Sequence, residues 1–165
     1  MRRKDRIVQN RAEILDILNR CDTVRIAMHG EKYPYVVPVS FGVEEADGKV
    51  ILYFHCARQG LKVDCLKANP YVCIQGDIFI QVEKTAHGIT ARYESVIGFG
   101  ECELLMDTDQ VKHGLRVLLD HYGYYEYPLD RCAGLSNVFV GKIVLDKITG
   151  KKNLPGGLTT ADKTA

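Results

Sequence analysis

The sequence predicts a mainly β fold of the α+β class, in which antiparallel strands curl into a small barrel. Three observations lead to this prediction. Six segments have strand-like patterns, three shorter segments have apolar residues at helical spacing, and helices and strands do not alternate regularly along the chain. A doubly wound parallel sheet needs that regular alternation, so a barrel is the better interpretation.

The first predicted element is a short amphipathic helix. Asn10 and Glu13 have the spacing of a capping box. Apolar residues then recur at i, i+3, i+4 and i+7, namely Ile14, Ile17, Leu18 and Cys21. In segment 23–28 apolar and other residues alternate, which predicts a first strand that ends at the turn 29–32.

A second strand is predicted from Tyr35 to Phe41, and it contains Pro38. Because proline has no N–H to donate, Pro38 indicates an edge strand, a bulge or a place where another group approaches the backbone. The sequence Ala-Asp-Gly-Lys at 46–49 predicts a hairpin turn into a third strand, Val50 to His55. Segment 60–68 has helical spacing and stops before Pro70, so a short helix follows the third strand directly.

Two long strands are predicted next, from Tyr71 to Val82 and from Thr90 to Leu105, with a polar loop at 83–88. Gly98 and Gly100 in the second of them indicate a bulge or a sharp curl, which a small barrel requires.

The C-terminal part predicts one more helix and one more strand. Asp107 and Gln110 repeat the capping-box spacing, and an apolar helical face then continues until Gly123 ends the helix. The last strand lies near 138–145. Glycine, threonine and lysine are frequent after Lys151, so we expect one domain at 1–152 and a flexible tail at 153–165.

Length, net charge and composition limit the class of protein to which this chain can belong. The 165 residues fit one domain, and a net charge of +1 predicts no broad attraction to nucleic acid or to an anionic membrane. No apolar run approaches the roughly 20 residues that cross a bilayer, so we expect a cytoplasmic protein without a membrane partner. The absence of a CxxC pair indicates reduced core thiols at the six cysteines, Cys21, Cys56, Cys65, Cys73, Cys102 and Cys132.

Several familiar motifs are incomplete. Gly98-Phe99-Gly100 lacks the third glycine of a dinucleotide fingerprint, because Glu103 stands there and no helix follows at once. Ser95 has Tyr93 where a nucleophile elbow has glycine. No metal site is predicted, since no two histidines stand at i, i+4 among His29, His55, His87, His113 and His121.

One candidate site remains, where the third strand meets the second helix. The strand ends in a turn that carries Arg58, and Lys62 follows in the helix. Gly60 permits close approach to the backbone, and the N–H groups of a helix N-terminus favour an anion. This junction suits a phosphate monoester, with Arg58 and Lys62 as the paired positive charge. The same residues also fit a solvated basic turn, and they do not decide between the two by themselves.

Three segments together resemble a known family. Segment 34–42 reads PYVVPVSFG, 52–62 reads LYFHCARQGLK and 93–100 reads YESVIGFG. In this order and at these separations they resemble the flavin-binding split barrels of the pyridoxamine 5′-phosphate oxidase-like kind, in the nitroimidazole-resistance branch. The resemblance covers roughly residues 1–152. It implies a six-stranded antiparallel split β-barrel with short flanking helices.

The resemblance also implies a cofactor and an assembly. The cofactor is FMN, with FAD as the alternative, and it lies at the interface of a homodimer. The ring would contact 37–41, the ribityl chain would contact 55–57, the phosphate would contact Lys62 and less directly Arg58, and 95–96 would reach the ring from the partner subunit. The implied cofactor residues are Val37, Pro38, Val39, Ser40, Phe41, His55, Cys56, Ala57, Arg58, Gly60, Lys62, Ser95 and Val96.

The leading functional hypothesis is a flavin-dependent oxidoreductase. It would take electrons from a nicotinamide nucleotide and pass them to a small organic acceptor, nitro compounds being one class that the resemblance suggests. The alternative is a protein that holds flavin or haem without turnover, with His55 as the axial haem ligand. A pyridoxal-type oxidase is a weaker hypothesis, because a second arginine cluster for a substrate phosphate is missing. No catalytic residue is assigned.

Overall fold

The structure, a computed structural model, describes residues 3–86, 88–131, 134 and 137–155. Within these residues, the strands are β1 (Ile7–Val8), β2 (Val24–Met28), β3 (Tyr35–Val39), β4 (Gly42–Ala46), β5 (Lys49–Ala57), β6 (Tyr71–Thr85), β7 (Gly88–Leu105) and β8 (Val138–Asn153). The α-helices are α1 (Arg11–Asn19), α2 (Leu61–Ala68) and α3 (Thr108–His121). The strands form one antiparallel sheet in the order β3-β2-β6-β7-β8-β5-β4, and β1 pairs with β8.

The two ends of the sheet are consecutive in the chain. β3 is one edge strand and β4 is the other, and only Ser40 and Phe41 lie between them. The sheet therefore curls until its edges meet at this link, and it is not closed by hydrogen bonds between β3 and β4. This confirms the predicted antiparallel split barrel with short helices.

The structure has two short strands beyond the six predicted. The segment predicted as one strand, 35–41, leaves β2 after Val39, and the chain pairs with β5 from Gly42 onward as β4. β1 has two residues, which is too short for a periodic pattern. Pro38 lies in the edge strand β3, as its missing N–H indicated.

The barrel interior holds the main core, to which α1 and α2 contribute buried side chains. α1 begins at the predicted cap, because Asn10 Oδ1 accepts hydrogen bonds from the N–H groups of Ala12 and Glu13. α2 contributes Val63, Cys65 and Leu66 to the main cluster. α3 packs on the outside of β4 and β5 and begins at the predicted cap Asp107.

The C-terminal end of α3 holds the link between β3 and β4. The N–H group of Phe41, which is fully buried, donates to Tyr122 Oη at 3.2 Å, and Tyr122 Oη donates to the carbonyl of Asp22 at 2.7 Å. His121 Nε2 lies 2.9 Å from the carbonyl oxygen of Cys21. Gly42 is required here, because a Cβ atom at this position would lie 2.3 Å from the carbonyl oxygen of Val117.

A polar cluster anchors the middle of α3. His113 Nε2 lies 3.0 Å from both carboxylate oxygens of Glu44, and Tyr53 Oη donates to Glu44 Oε1 at 2.8 Å. Burial is the main cause that raises the pKa of the Tyr53 hydroxyl, and its hydrogen bond to Glu44 adds to this effect. Tyr53 therefore acts as a neutral donor that ties α3 to β4 and β5.

The curl of β7 was predicted from its glycines and is confirmed. The β7–β8 register shifts between Phe99 and Gly100. A Cβ atom at Gly100 would lie 2.1 Å from the carbonyl oxygen of Val144, so the bulge needs glycine there.

Other differences lie near the C-terminus. β8 extends to Asn153 instead of ending near 145, because its second half pairs with β7 and β1. His87, Cys132 and residues 156–165 of the predicted tail lie outside the described residues. In the described part of the chain, every helix is too short or too polar to span a bilayer.

Candidate functional site

The barrel opens where β3 diverges from β5. β4 pairs with β5 as far as Gly42 and Tyr53, and continuing that antiparallel register along the chain would bring Ser40 beside His55. Instead β3 turns away to pair with β2, so the hydrogen bonding of the sheet is interrupted between β3 and the C-terminal part of β5. We call this interruption the split and define it by residues 37–41 on one side and 55–62 on the other.

Strand alternation sorts the predicted cofactor residues of the split into two groups. Pro38, Ser40, His55 and Ala57 are exposed on the outside of the barrel. Three others are buried in the main core, where they can offer a ligand only backbone groups: Val39, Phe41 and Cys56. Val37 is half-buried at the edge of this core. The β3 and β5 segments thus lie on the two sides of the split, and their contact with a cofactor stays a prediction.

The α2 end of the split has unsatisfied positive charge. Gly60 precedes α2 with a φ of 121°, and no side chain caps the helix. Lys62 Nζ lies 5.5 Å from the ring centroid of Phe54, and Arg58 Cζ lies 5.5 Å from that of Phe139. Among the residues described, no carboxylate lies within 4.0 Å of either cation. Free helix N–H groups and two cations make this end a candidate anion site, although Asp64 adds a negative charge in the first turn of α2.

Cys56 does not strengthen this anion site. Its side chain is buried, and burial raises the pKa of the thiol although Lys62 partly offsets this effect. The thiol stays neutral and points into the core, so the hydrogen bonds to an anion would come from Lys62, Arg58 and the backbone.

The structure buries the side chain of Val96, so contact with a flavin stays a prediction for its backbone alone. Val96 is 0 % exposed and packs against Val8, Ile14 and Ile17 beneath α1 of the same chain. Ser95 lies one residue earlier on the strand and therefore points to the opposite face of the sheet. The sequence showed this alternation but not which face α1 covers. Ser95 remains at the surface, whereas the Val96 side chain cannot reach a ligand on another subunit.

Three large exposed apolar residues lie on the same face of the sheet as Ser95, and the sequence analysis did not identify this surface. Tyr71 is 61 % exposed, Phe99 49 % and Ile97 41 %. β7 and β8 also place Lys147 and Lys151 on this side, opposite Phe99 and Ser95. We call this surface the outer face and define it by Tyr71, Cys73, Ser95, Ile97, Phe99, Lys147, Thr149 and Lys151. A signal was present in the sequence, since Ile97 and Phe99 occupy the alternate positions where a solvated face would carry polar residues.

A metal centre has no support in the described residues. They contain no group of three or more His, Cys, Asp or Glu side chains that could hold an ion. Two of the histidines have structural contacts instead, since His113 pairs with Glu44 and His121 contacts a backbone carbonyl.

Comparisons with known proteins agree on the fold. The model of the pyridoxamine 5′-phosphate oxidase family matches residues 10–152. No curated protein matches the chain. A crystal structure of a candidate 5-nitroimidazole antibiotic resistance protein from Bacteroides thetaiotaomicron is 27 % identical, with a TM-score of 0.73 over 88 % of this chain and 85 % of that one.

Two further solved structures extend this comparison. An FAD-binding protein from Mesorhizobium loti is 25 % identical, with a TM-score of 0.64 over 90 % of this chain and 98 % of that one. A flavocytochrome from Azotobacter vinelandii is 17 % identical, with a TM-score of 0.77 over 98 % and 76 % of the two chains, and shows the fold alone.

The two positions 95 and 96 give a matched test of this geometry. Val96→Glu would bury an uncompensated charge beneath α1, so we expect it to lower the free energy of unfolding by about 3–5 kcal/mol. Ser95→Glu places the same side chain on the surface of the chain, so at protein concentrations where the chain is a monomer it should change the free energy of unfolding by less than about 1 kcal/mol. Urea denaturation followed by circular dichroism measures both. Equal losses of stability would contradict the assignment of these residues to opposite faces.

Proposed function

The chain belongs to the pyridoxamine 5′-phosphate oxidase family, and from this premise we propose that it is a flavin-dependent oxidoreductase that holds FMN in the split. The observation that carries the proposal is the combination of two uncompensated cations, Arg58 and Lys62, with the uncapped N-terminus of α2 at one end of the split. A flavin mononucleotide is a flat ring joined to a phosphate monoester by a short polar chain, and the split offers a place for each part. FAD is the alternative cofactor.

Different residues of the split would bind different parts of the cofactor. Lys62, with Arg58 at the rim, would hold the phosphate together with the N–H groups of the first turn of α2. His55 and Ala57 lie on the exposed side of β5 and would contact the ribityl chain. Backbone groups around Pro38 would meet the polar edge of the ring, because edge strand β3 has free peptide groups on its outer side.

We propose that the functional unit is a homodimer joined through the outer face. Large exposed apolar side chains support this, since Tyr71, Ile97 and Phe99 lie together on one side of the sheet. The β6–β7 hairpin adds Val82 and Ile89, which are exposed beyond the point where β8 stops pairing. A second copy would cover this surface, and Ser95 would then lie at the interface near the partner subunit's flavin.

Bound flavin would supply two-electron transfer between a nicotinamide nucleotide and a small organic acceptor. Nitro compounds are the acceptor class that we favour, because the relative from Bacteroides thetaiotaomicron is described in terms of 5-nitroimidazole resistance. The chain's own residues would bind and orient the cofactor and exclude water from the ring. Free thiols at the five described cysteines suit a cytoplasmic location.

Haem binding is the second candidate. His55 is exposed beside the split and lies on a rigid, well-paired strand, which is a suitable position for an axial ligand. Two structures of the same fold are described as a flavocytochrome from Azotobacter vinelandii and an FAD and haem binding protein from Mycobacterium smegmatis.

The absorption spectrum of the purified protein separates these functions. We expect flavin bands near roughly 375 and 450 nm that bleach on anaerobic addition of NADH or NADPH and return with a nitroimidazole. A Soret band that shifts in His55→Ala would support haem binding instead. Flavin bands that no nicotinamide nucleotide bleaches would contradict the proposed oxidoreductase.

We expect Lys62 to contribute to FMN affinity through its contact with the phosphate group. We expect Lys62→Ala to weaken FMN binding by about 1.5–3 kcal/mol, because it removes a charge-assisted hydrogen bond, while riboflavin binding changes little. Arg58→Ala should cost less. Lys49→Ala, at the opposite end of β5 from the split, is the control and should leave both affinities unchanged. Titration of flavin-free protein, followed by flavin fluorescence, gives the constants. Equal losses for FMN and riboflavin would remove Lys62 from the phosphate site.

A substitution on the outer face tests the proposed dimer. Phe99→Glu should shift the protein from dimer to monomer and release flavin, because a charge in an apolar interface is left unpaired. Tyr125→Glu, on an exposed loop outside the outer face, is the control and should remain a dimer. Sedimentation velocity alongside flavin fluorescence measures both effects. A wild-type monomer with one flavin per chain would show that the interface is assigned wrongly.

A further inference from the structure

A side-chain hydroxyl continues the pairing of β2 with β3 beyond the end of the ladder. The last pair of this ladder is Val24 with Val39. In the same antiparallel register, Asp22 and Phe41 would form the next hydrogen-bonded pair. Instead the Phe41 N–H group donates to Tyr122 Oη at 3.2 Å, and Tyr122 Oη donates to the carbonyl oxygen of Asp22 at 2.7 Å. The Tyr122 hydroxyl therefore stands between two backbone groups that would otherwise bond directly, and it holds them apart.

Pro38 determines which backbone groups of β3 face away from β2. In an antiparallel ladder, pairs that exchange hydrogen bonds alternate with pairs that do not. Pro38 has no N–H group, so its pair with Arg25 is of the second kind. Val39 therefore exchanges hydrogen bonds with β2, and the trans peptides on either side of it direct the Pro38 carbonyl group and the Ser40 N–H group the other way. These two groups lie on the open edge of β3 that borders the split.

The end of α3 also holds the link between β3 and β4 by packing. The ring of His121 lies 4.4 Å from the ring of Phe41, measured between centroids. His121 Nε2 lies 2.9 Å from the carbonyl oxygen of Cys21, just before β2. The two consecutive residues His121 and Tyr122 thus contact both the link and the chain that enters β2. The link cannot shift without losing these contacts.

Loss of the Tyr122 hydroxyl would change the position of the link. Among the residues that the structure describes, the Phe41 N–H group donates only to Tyr122 Oη. Without this acceptor the buried N–H group is left unpaired, which favours a displaced link that finds another partner. The open-edge groups of Pro38 and Ser40 lie within three residues of Phe41 along the chain and would be displaced with it. A ligand would then bind only the fraction of molecules in which the link is in place.

We propose that Tyr122 is a positioning residue that sets the affinity of the split for the flavin ring, although it is not one of the residues that define the split. The proposal rests on the proposed function, because the ring is the part of the cofactor that would contact residues 37–41. Lys62 and the proposed phosphate site lie on the other side of the split. Tyr122 therefore affects a flavin with a phosphate group and a flavin without one by the same factor.

Tyr122→Phe tests the proposal, with Tyr53→Phe as the matched control. Each substitution removes one hydroxyl from the contact between α3 and the sheet, but Tyr53 Oη bonds to Glu44 and not to the link. Flavin-free protein is titrated with FMN and with riboflavin, and flavin fluorescence is followed. Tyr122→Phe should weaken the binding of both ligands by about tenfold, the effect of a lost hydrogen bond on the population of the competent state. Tyr53→Phe should leave both affinities at the wild-type value.

Two further measurements separate positioning from a general loss of stability. Hydrogen exchange at the Phe41 amide, measured without ligand, should be faster in Tyr122→Phe than in the wild type or in Tyr53→Phe. The visible absorption band of the bound flavin should shift toward that of free flavin in Tyr122→Phe, because water replaces the protein at the polar edge of the ring. Tyr53→Phe should leave the absorption band unchanged.

The outcomes distinguish the role of Tyr122 from the proposed function. Equal losses of flavin affinity in Tyr122→Phe and Tyr53→Phe would overturn the positioning role. Flavin affinity and absorption that Tyr122→Phe leaves unchanged would overturn it as well, and so would a weakening of FMN without riboflavin. In each of these cases wild-type protein still binds flavin, so the proposed function stands. A wild-type chain that binds neither flavin would overturn the proposed function and the positioning role together.

Discussion

The fold depends on how the link at Ser40 and Phe41 is held. This link joins the two edges of the sheet, so its position decides where the barrel closes and where it opens. Phe41 is fully buried, so its backbone N–H group is shielded from water. A buried N–H group without a hydrogen-bond partner lowers the stability of the fold by about 1–3 kcal/mol. Tyr122 supplies the partner and also bonds to Asp22, so a single hydroxyl ties α3, the link and the start of β2 together. The split is the direct result, because β3 must leave β5 at this fixed point.

The helices then decide which faces of the sheet stay uncovered. α1 covers the face to which Val96 points, and α3 covers the outside of β4 and β5. Neither helix reaches the outer face, where Ile97 and Phe99 remain exposed. Apolar surface of this kind is costly in water, so its exposure on a single chain supports an assembly in which a second copy covers it. The proposed dimer thus follows from the placement of two helices rather than from any single motif.

Local sequence patterns were sufficient to predict the helices and strands. They were not sufficient to predict how these elements are arranged in the tertiary structure. The capping residues Asn10 and Asp107 begin their helices as predicted, because a cap depends on neighbours two or three residues away. Alternation in β7 showed that Ser95 and Val96 face opposite ways, but the covered face is set by α1, which lies about 80 residues earlier in the chain.

At the split, successive side chains point alternately into the core and to the surface. This alternation separates positions where a substitution disturbs core packing from positions where it does not. Val39, Phe41 and Cys56 point into the main core, where a change of volume disturbs packing whatever is bound outside. Ser40, His55 and Ala57 lie on the exposed side of the same segments, and a change there alters only the surface that a ligand would meet. Cofactor preference can therefore change at these exposed positions without loss of the barrel. The positions that tolerate substitution are also those that would contact the proposed cofactor, so a change of ligand there would leave the core constant.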